Sequence, residues 1–288
     1  MLSLSNDQLD VSILDPNQDQ ERLGSRYVVG GYIYTVTDRR VGVITSGPEY
    51  PESPYPPVFD GQGLPEAFPT FLWEGVESAP PNTRPAPGTE MMILGVGQVH
   101  STTPELFRKM PVDRFCHWDI EPSDTRIVMK TTQAFRGWAV DLTREVSLLD
   151  RTVISQTRFV NVGDDPIHFR WFAHPFFPNP WGECCKFNLP VSCAMNVGYE
   201  LHDNGWIYVK TDHEWDLVGH FQALPFDSTE RLVALQRHPK LVLLSATCSF
   251  TPSWLPIWGN KNTFSFEPYR EQTLAPGTES TWSITYDF

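Results

Sequence analysis

Apolar residues along this chain recur mostly at every second position, in short runs separated by Pro, Gly, Asn and Asp. Successive side chains of a strand point to opposite faces, so this alternation predicts half-buried β-strands joined by turns. Leu9, Val11 and Ile13 open the series, followed by the turn residues Asp15-Pro16-Asn17 and by a β-branched and aromatic run from Gly30 to Val36. Three more strands follow one another at Arg126 to Lys130, Trp138 to Leu148 and Thr152 to Val162. In the second of these, Trp138, Val140 and Leu142 take one face and Ala139, Asp141 and Thr143 the other. Asn161 through Pro166 is a strong turn signal, and Asp203-Asn204-Gly205 predicts a hairpin within 198–209. Leu241 to Phe250 returns to strand.

Elsewhere the pattern changes. Met91 to His100 reads as one buried strand, and its Gly95-x-Gly97 lacks the third glycine, the helix and the βαβ setting of a dinucleotide fingerprint. Pro104 to Met110 and Thr229 to His238 are the helix candidates, both short. Residues 48–88 hold eleven prolines interleaved with aromatics, too apolar for a solvated tether, so a long ordered loop over the sheet is expected. No boundary or repeat divides the chain. The expectation is an all-β, large antiparallel β-sandwich with few short helices, one domain over 1–288.

Two stretches carry candidate chemistry. In Ile167 to Pro178, Ile167, Phe169, Trp171 and Ala173 form a core face, while His168, Arg170, Phe172 and His174 share the other. Nearly a hundred residues on, Phe264 and Phe266 point to the core and Thr263, Ser265, Glu267 and Tyr269 away from it. A proline follows each candidate acid or base, Pro175 after His174 and Pro268 after Glu267, and limits further strand pairing there.

Composition narrows the partners. Of 288 residues, 22 are basic and 35 acidic, a net charge of −13, which leaves no electrostatic footprint for nucleic acid or an anionic membrane. The 26 prolines are roughly twice the usual ~5% share, which disfavours a helical protein. Five cysteines form no C-x-x-C pair, and an odd number argues against a disulfide framework. With neither a signal-peptide pattern nor an apolar run of membrane-spanning length, a cytoplasmic protein is expected.

Phe172-Ala173-His174-Pro175-Phe176-Phe177 resembles the His-Pro-aromatic-Phe segment of aldose 1-epimerases, the galactose mutarotases. Phe266-Glu267-Pro268 with Leu274-x-Pro276-Gly277 is similar to that superfamily's terminal Glu-Pro segment and closing hairpin. Gly24-x-Arg26-Tyr27, Gly31-x-Ile33 and Gly95-Val96-Gly97 look like an uncharacterised branch of it, so the resemblance spans essentially the whole chain. It implies a galactose mutarotase-like supersandwich with a monosaccharide or sugar phosphate on a concave face. It further implies Glu267 as general base and His174 as general acid, without metal or organic cofactor. The family's His-Gly and Asn-Arg settings are missing; His100 lies in about the right third of the chain but in a different context. Arg26, Arg170 and Arg270 are candidates for a phosphate, and Glu66, on a tight turn, for a further substrate-binding carboxylate.

Three functions follow as expectations. The first is an aldose 1-epimerase-like isomerase of a hexose or hexose phosphate. The second is a non-catalytic carbohydrate-binding protein, with Trp138, Trp181 or Trp258 as stacking platforms. The third is a glycan hydrolase or lyase, for which Glu66 and Glu267 are the one carboxylate pair to nominate. Without a His-x-His spacing, a metal-dependent enzyme is the weakest option.

Overall fold

A computed structural model of the chain describes residues 1–22, 24–48, 61–76, 85–101, 110–194 and 198–288. Alternation becomes a ten-stranded antiparallel sheet. In spatial order its strands are Asp119–Pro122, Arg126–Phe135, Trp138–Leu149, Thr152–Asn161, Glu279–Asp287, Val242–Cys248, Val233–His238, Gly182–Phe187, Trp206–Val209 and Tyr199–Leu201. Trp138–Leu149 alternates buried and half-buried positions along almost its whole length, as a strand with one face in a core must.

Two small antiparallel sheets lie over that core face. One consists of Tyr269–Leu274, Ile167–Ala173 and Glu66–Ala67; the other of Phe177–Pro178, Thr263–Phe266, Pro256–Gly259 and His220–Ala223. Phe169 stacks on Phe159 and Trp282 of the large sheet with ring centroids 4.9 and 5.2 Å apart, and Phe266 meets Phe187 edge-on at 6.3 Å. Each such side chain, fully buried, contributes about 1.5–3 kcal/mol. The outcome is an all-β sandwich. Two further four-stranded sheets are formed, one by Leu2–Ser5, Leu9–Ile13, Ile33–Asp38 and Gly42–Val43, the other by Phe71–Leu72, Glu90–Ile93, Gly97–His100 and Val112–Phe115.

The expected hairpin at Asp203 to Gly205 is present, joining Tyr199–Leu201 to Trp206–Val209. Three expectations change. The helix expected over Thr229 to His238 is instead the strand Val233–His238, paired with Val242–Cys248. Met91 to His100 is two strands, Glu90–Ile93 and Gly97–His100, and Gly95 takes a φ of +73° in the turn between them. In the proline-rich window, Glu66–Ala67 joins a sheet, whereas 49–60 and 77–84 lie outside the described residues, as do 104–109 of the other helix candidate.

Candidate active site

The chain crosses between the two small sheets twice, side by side. One crossing runs from Ile167–Ala173 through His174-Pro175-Phe176 to Phe177–Pro178; the other runs from Thr263–Phe266 through Glu267-Pro268 to Tyr269–Leu274. Neither proline has an N–H to give, so the ladder is interrupted. The register nevertheless carries through: Phe172 faces Tyr269 before the gap and Phe177 faces Phe264 after it, which sets His174 opposite Glu267. Their backbone N–H groups turn outward instead, His174 N–H to Pro65 O at 2.9 Å and Glu267 N–H to Pro256 O at 2.8 Å.

Across this gap His174 Nε2 and Glu267 Oε1 lie 3.4 Å apart, and each residue is only 5% exposed. Nδ1 of His174 is 2.7 Å from Ser265 Oγ, one pair further along the same face. Aromatic rings enclose the imidazole: Phe176 at 4.3 Å, Trp258 edge-on at 5.8 Å and Phe172 at 5.9 Å between centroids. Phe172 in turn stacks on Tyr269 at 4.6 Å. Tyr199 lies in the field of Glu267; burial above all, then the Cys184 and Cys185 thiols and the carboxylate, push its hydroxyl well above the ordinary tyrosine range. It therefore stays neutral and donates a hydrogen bond to His220 O at 2.9 Å.

Three of the remaining site candidates, Glu66, Arg270 and His100, do not join the pair. Glu66, expected as a ligand group, points into the core instead. It pairs with the buried Arg144 at 2.6 Å and accepts from Trp171 Nε1 at 3.1 Å, on the opposite face of the sheet from His174. The pairing of Glu66 with Glu267 needed by a hydrolase is thereby lost. Arg270, expected near a phosphate, also faces inward, over the Phe250 and Trp282 rings and hydrogen-bonded to Gln272 and Ser280. His100 is exposed on another sheet and paired with Asp113 at 2.7 Å. Arg170 stays on the site face but is engaged by Glu271, its guanidinium 6.0 Å from the Tyr269 ring centroid. Arg26 lies over the ring of buried Tyr27, at 4.9 Å.

Of the tryptophans considered as platforms, Trp258 lines the site. Trp138 is buried against Phe135, and Trp181 packs beside Trp215. Sequence reasoning placed Ser265 on the correct face without giving it a task. It passed over Phe176, whose ring shares the face of His174 by the same alternation. Among the described residues no group of three or more His, Cys, Asp or Glu is placed to hold a metal ion.

Neither a family model nor a curated protein sequence matches the chain. Solved structures do. The Slr1438 protein of Synechocystis sp. PCC 6803 is 15% identical, with a TM-score of 0.58 over 99% of this chain and 94% of that one. A galactose mutarotase-like protein from Lactobacillus casei is 13% identical, with a TM-score of 0.57 over 100% and 99% of the two chains. A galactose mutarotase related enzyme from Lactobacillus acidophilus is 13% identical, with a TM-score of 0.53 over 100% and 97%. The likeness is one of fold.

Proposed function

We propose, with the galactose mutarotase-like fold as the premise, that this chain interconverts the α and β anomers of an aldose by general acid–base ring opening. The observation that carries the reading is the contact of His174 Nε2 with the Glu267 carboxylate inside a wall of aromatic rings. The anomeric hydroxyl oxygen and the ring oxygen of a cyclic aldose are bonded to the same carbon. An acid and a base that serve them must therefore stand within about 8 Å of each other, two hydrogen-bond lengths plus the gap between the oxygens, and these two groups do.

In the forward step Glu267 takes the proton of the anomeric hydroxyl while His174 gives a proton to the ring oxygen. The bond from C1 to the ring oxygen breaks and a C1 carbonyl forms. Rotation about C1–C2 presents the other carbonyl face, and reclosure returns both protons along the same paths. An ordinary imidazole titrates near pH 6.5, so a histidine can serve as donor and acceptor near neutrality. Both transfers are complete with side chains alone.

A neutral aldose is favoured over a sugar phosphate, because Arg270 is turned into the core, Arg170 is engaged by Glu271 and Arg26 lies over the Tyr27 ring. Polarimetry on glucose, galactose and their 6-phosphates tests the proposal. Wild type should exceed the uncatalysed rate for at least one of them, and Glu267→Gln and His174→Asn should each lower kcat by about 10²–10⁴-fold. Background rates for every sugar tried would overturn catalysis. The near-complete burial of both groups favours one other reading, a carbohydrate-binding protein without turnover, which predicts calorimetric binding and no anomerisation.

A further inference from the structure

From the acid–base pair a continuous band of aromatic rings leads outward to solvent. Two cross-strand rows build it. Phe221 faces Trp258, and Trp258 faces Ser265, across the strands His220–Ala223, Pro256–Gly259 and Thr263–Phe266. In the second row Trp254 bridges Tyr269, which faces Phe172. The rows meet again at their outer ends, where Phe221 and Trp254 lie 5.4 Å apart, and Trp254 is 4.8 Å from Tyr269. Exposure rises along the band, from 9% at Phe172 to 38% at Trp254 and 47% at Phe221.

We infer that Trp254 and Phe221 form a second saccharide subsite, so that the substrate is the reducing end of an oligosaccharide. The inference rests on the acid–base reading of His174 and Glu267. Anomerisation needs a free hydroxyl at C1, so any further sugar unit must be attached through another hydroxyl of the reacting ring. It must then lie beside that ring, where the aromatic band continues. The band also has the mixed chemistry that a sugar demands. Flat ring faces suit the C–H surfaces of a pyranose, while Arg170 with Glu271 and the exposed Ser253 hydroxyl, which donates to Tyr269 O, stand at the Tyr269 edge to meet hydroxyls. A lipid or a wholly apolar peptide would leave that charged edge unmatched.

The test compares kcat/KM by polarimetry for glucose against maltose, cellobiose and lactose, and for galactose against β-1,4-galactobiose. At least one disaccharide should exceed its own reducing-end monosaccharide by about tenfold, the worth of one well-placed ring contact. Trp254→Ala and Phe221→Ala should bring that ratio toward one, while Trp254→Phe, which keeps a ring, should retain most of it. A wild-type ratio at or below one for every pair overturns the inference, as does a ratio that both alanine variants leave unchanged. Sedimentation showing a dimer that either variant dissociates would also overturn it, by assigning the band to a second copy of the chain. Should wild type turn over no sugar at all, the acid–base reading fails and calorimetry judges the subsite separately. Disaccharide binding lost in Trp254→Ala upholds it, and absence of disaccharide binding overturns it.

Discussion

An imidazole can protonate a ring oxygen only while its proton sits on the nitrogen that faces the substrate. Ser265 Oγ lies 2.7 Å from Nδ1 of His174; in the acid form both ring nitrogens carry protons, so Nδ1–H donates to this hydroxyl and the ring is held with Nε2–H beside Glu267. Ser265 is thus a positioning residue. Ser265→Ala should lower kcat about tenfold, the value of one hydrogen bond, with KM little changed. It should also displace the His174-dependent limb of the pH–rate profile, and Ser265→Thr should restore both; an unmoved profile would leave Ser265 a packing residue. Glu66 teaches the opposite lesson. Arg144 falls on the core face of its strand by strict alternation, a position where an arginine requires a buried partner, and Glu66 is that partner. Glu66→Ala should therefore destabilise by about 3–5 kcal/mol in urea unfolding, and Glu66→Met with Arg144→Met should recover much of the loss. Equal destabilisation in the single and double variants would contradict this account.

At the level of strands, alternation identified the faces and turn residues identified the ends. It failed where residue type and environment disagree. Thr229 to His238 is read as helix, and Ala, Leu, Gln and Arg within it are good helix formers, yet strand pairing of Val233–His238 with Val242–Cys248 decides the conformation. His238 holds the turn between them, its Nδ1 accepting from the backbone N–H groups of Lys240 and Leu241 while Nε2 donates to Ile44 O at 2.8 Å. The Ile33–Asp38 strand ends on a comparable device. Burial alone would raise the Asp38 pKa, but the Arg151 guanidinium and the N–H groups of Arg40 and Val41 more than reverse that and hold it at about 2, against an ordinary 3.8. Because the folded value is depressed, the stabilisation is fully present above about pH 4 and disappears as pH falls through 2. Asp38→Asn should lower unfolding free energy by about 1–2 kcal/mol at pH 7, and the gap to wild type should close near pH 2. A gap of the same size at both pH values would mean that charge is not what Asp38 contributes.

On the scale of the whole molecule, a sandwich could be read from the sequence, but the order of its strands could not. The Thr152–Asn161 and Glu279–Asp287 strands pair across more than a hundred residues, and nothing local in either names the other. The meeting of His174 with Glu267 is of the same kind: short motifs suggested it, and only two matched crossings between sheets produce it. The same packing encloses the thiols. All five cysteines are free, and Cys184, Cys185 and Cys248 are buried within strands of the large sheet. Burial pushes the Cys184 and Cys248 thiols well above their ordinary range and Cys116 up to about 11, so few thiolates, the reactive form, exist at pH 8. Cys248 reaches solvent only when the central strands separate, which makes its labelling a measure of global opening. Titration with a disulfide reagent at pH 8 should therefore find five thiols reacting at once in denaturant. In the native protein Cys184 and Cys248 should react no faster than the chain unfolds, and reductant should leave Tm unchanged. Rapid native labelling of Cys248, located by peptide mapping, would show that the sandwich opens locally at its centre.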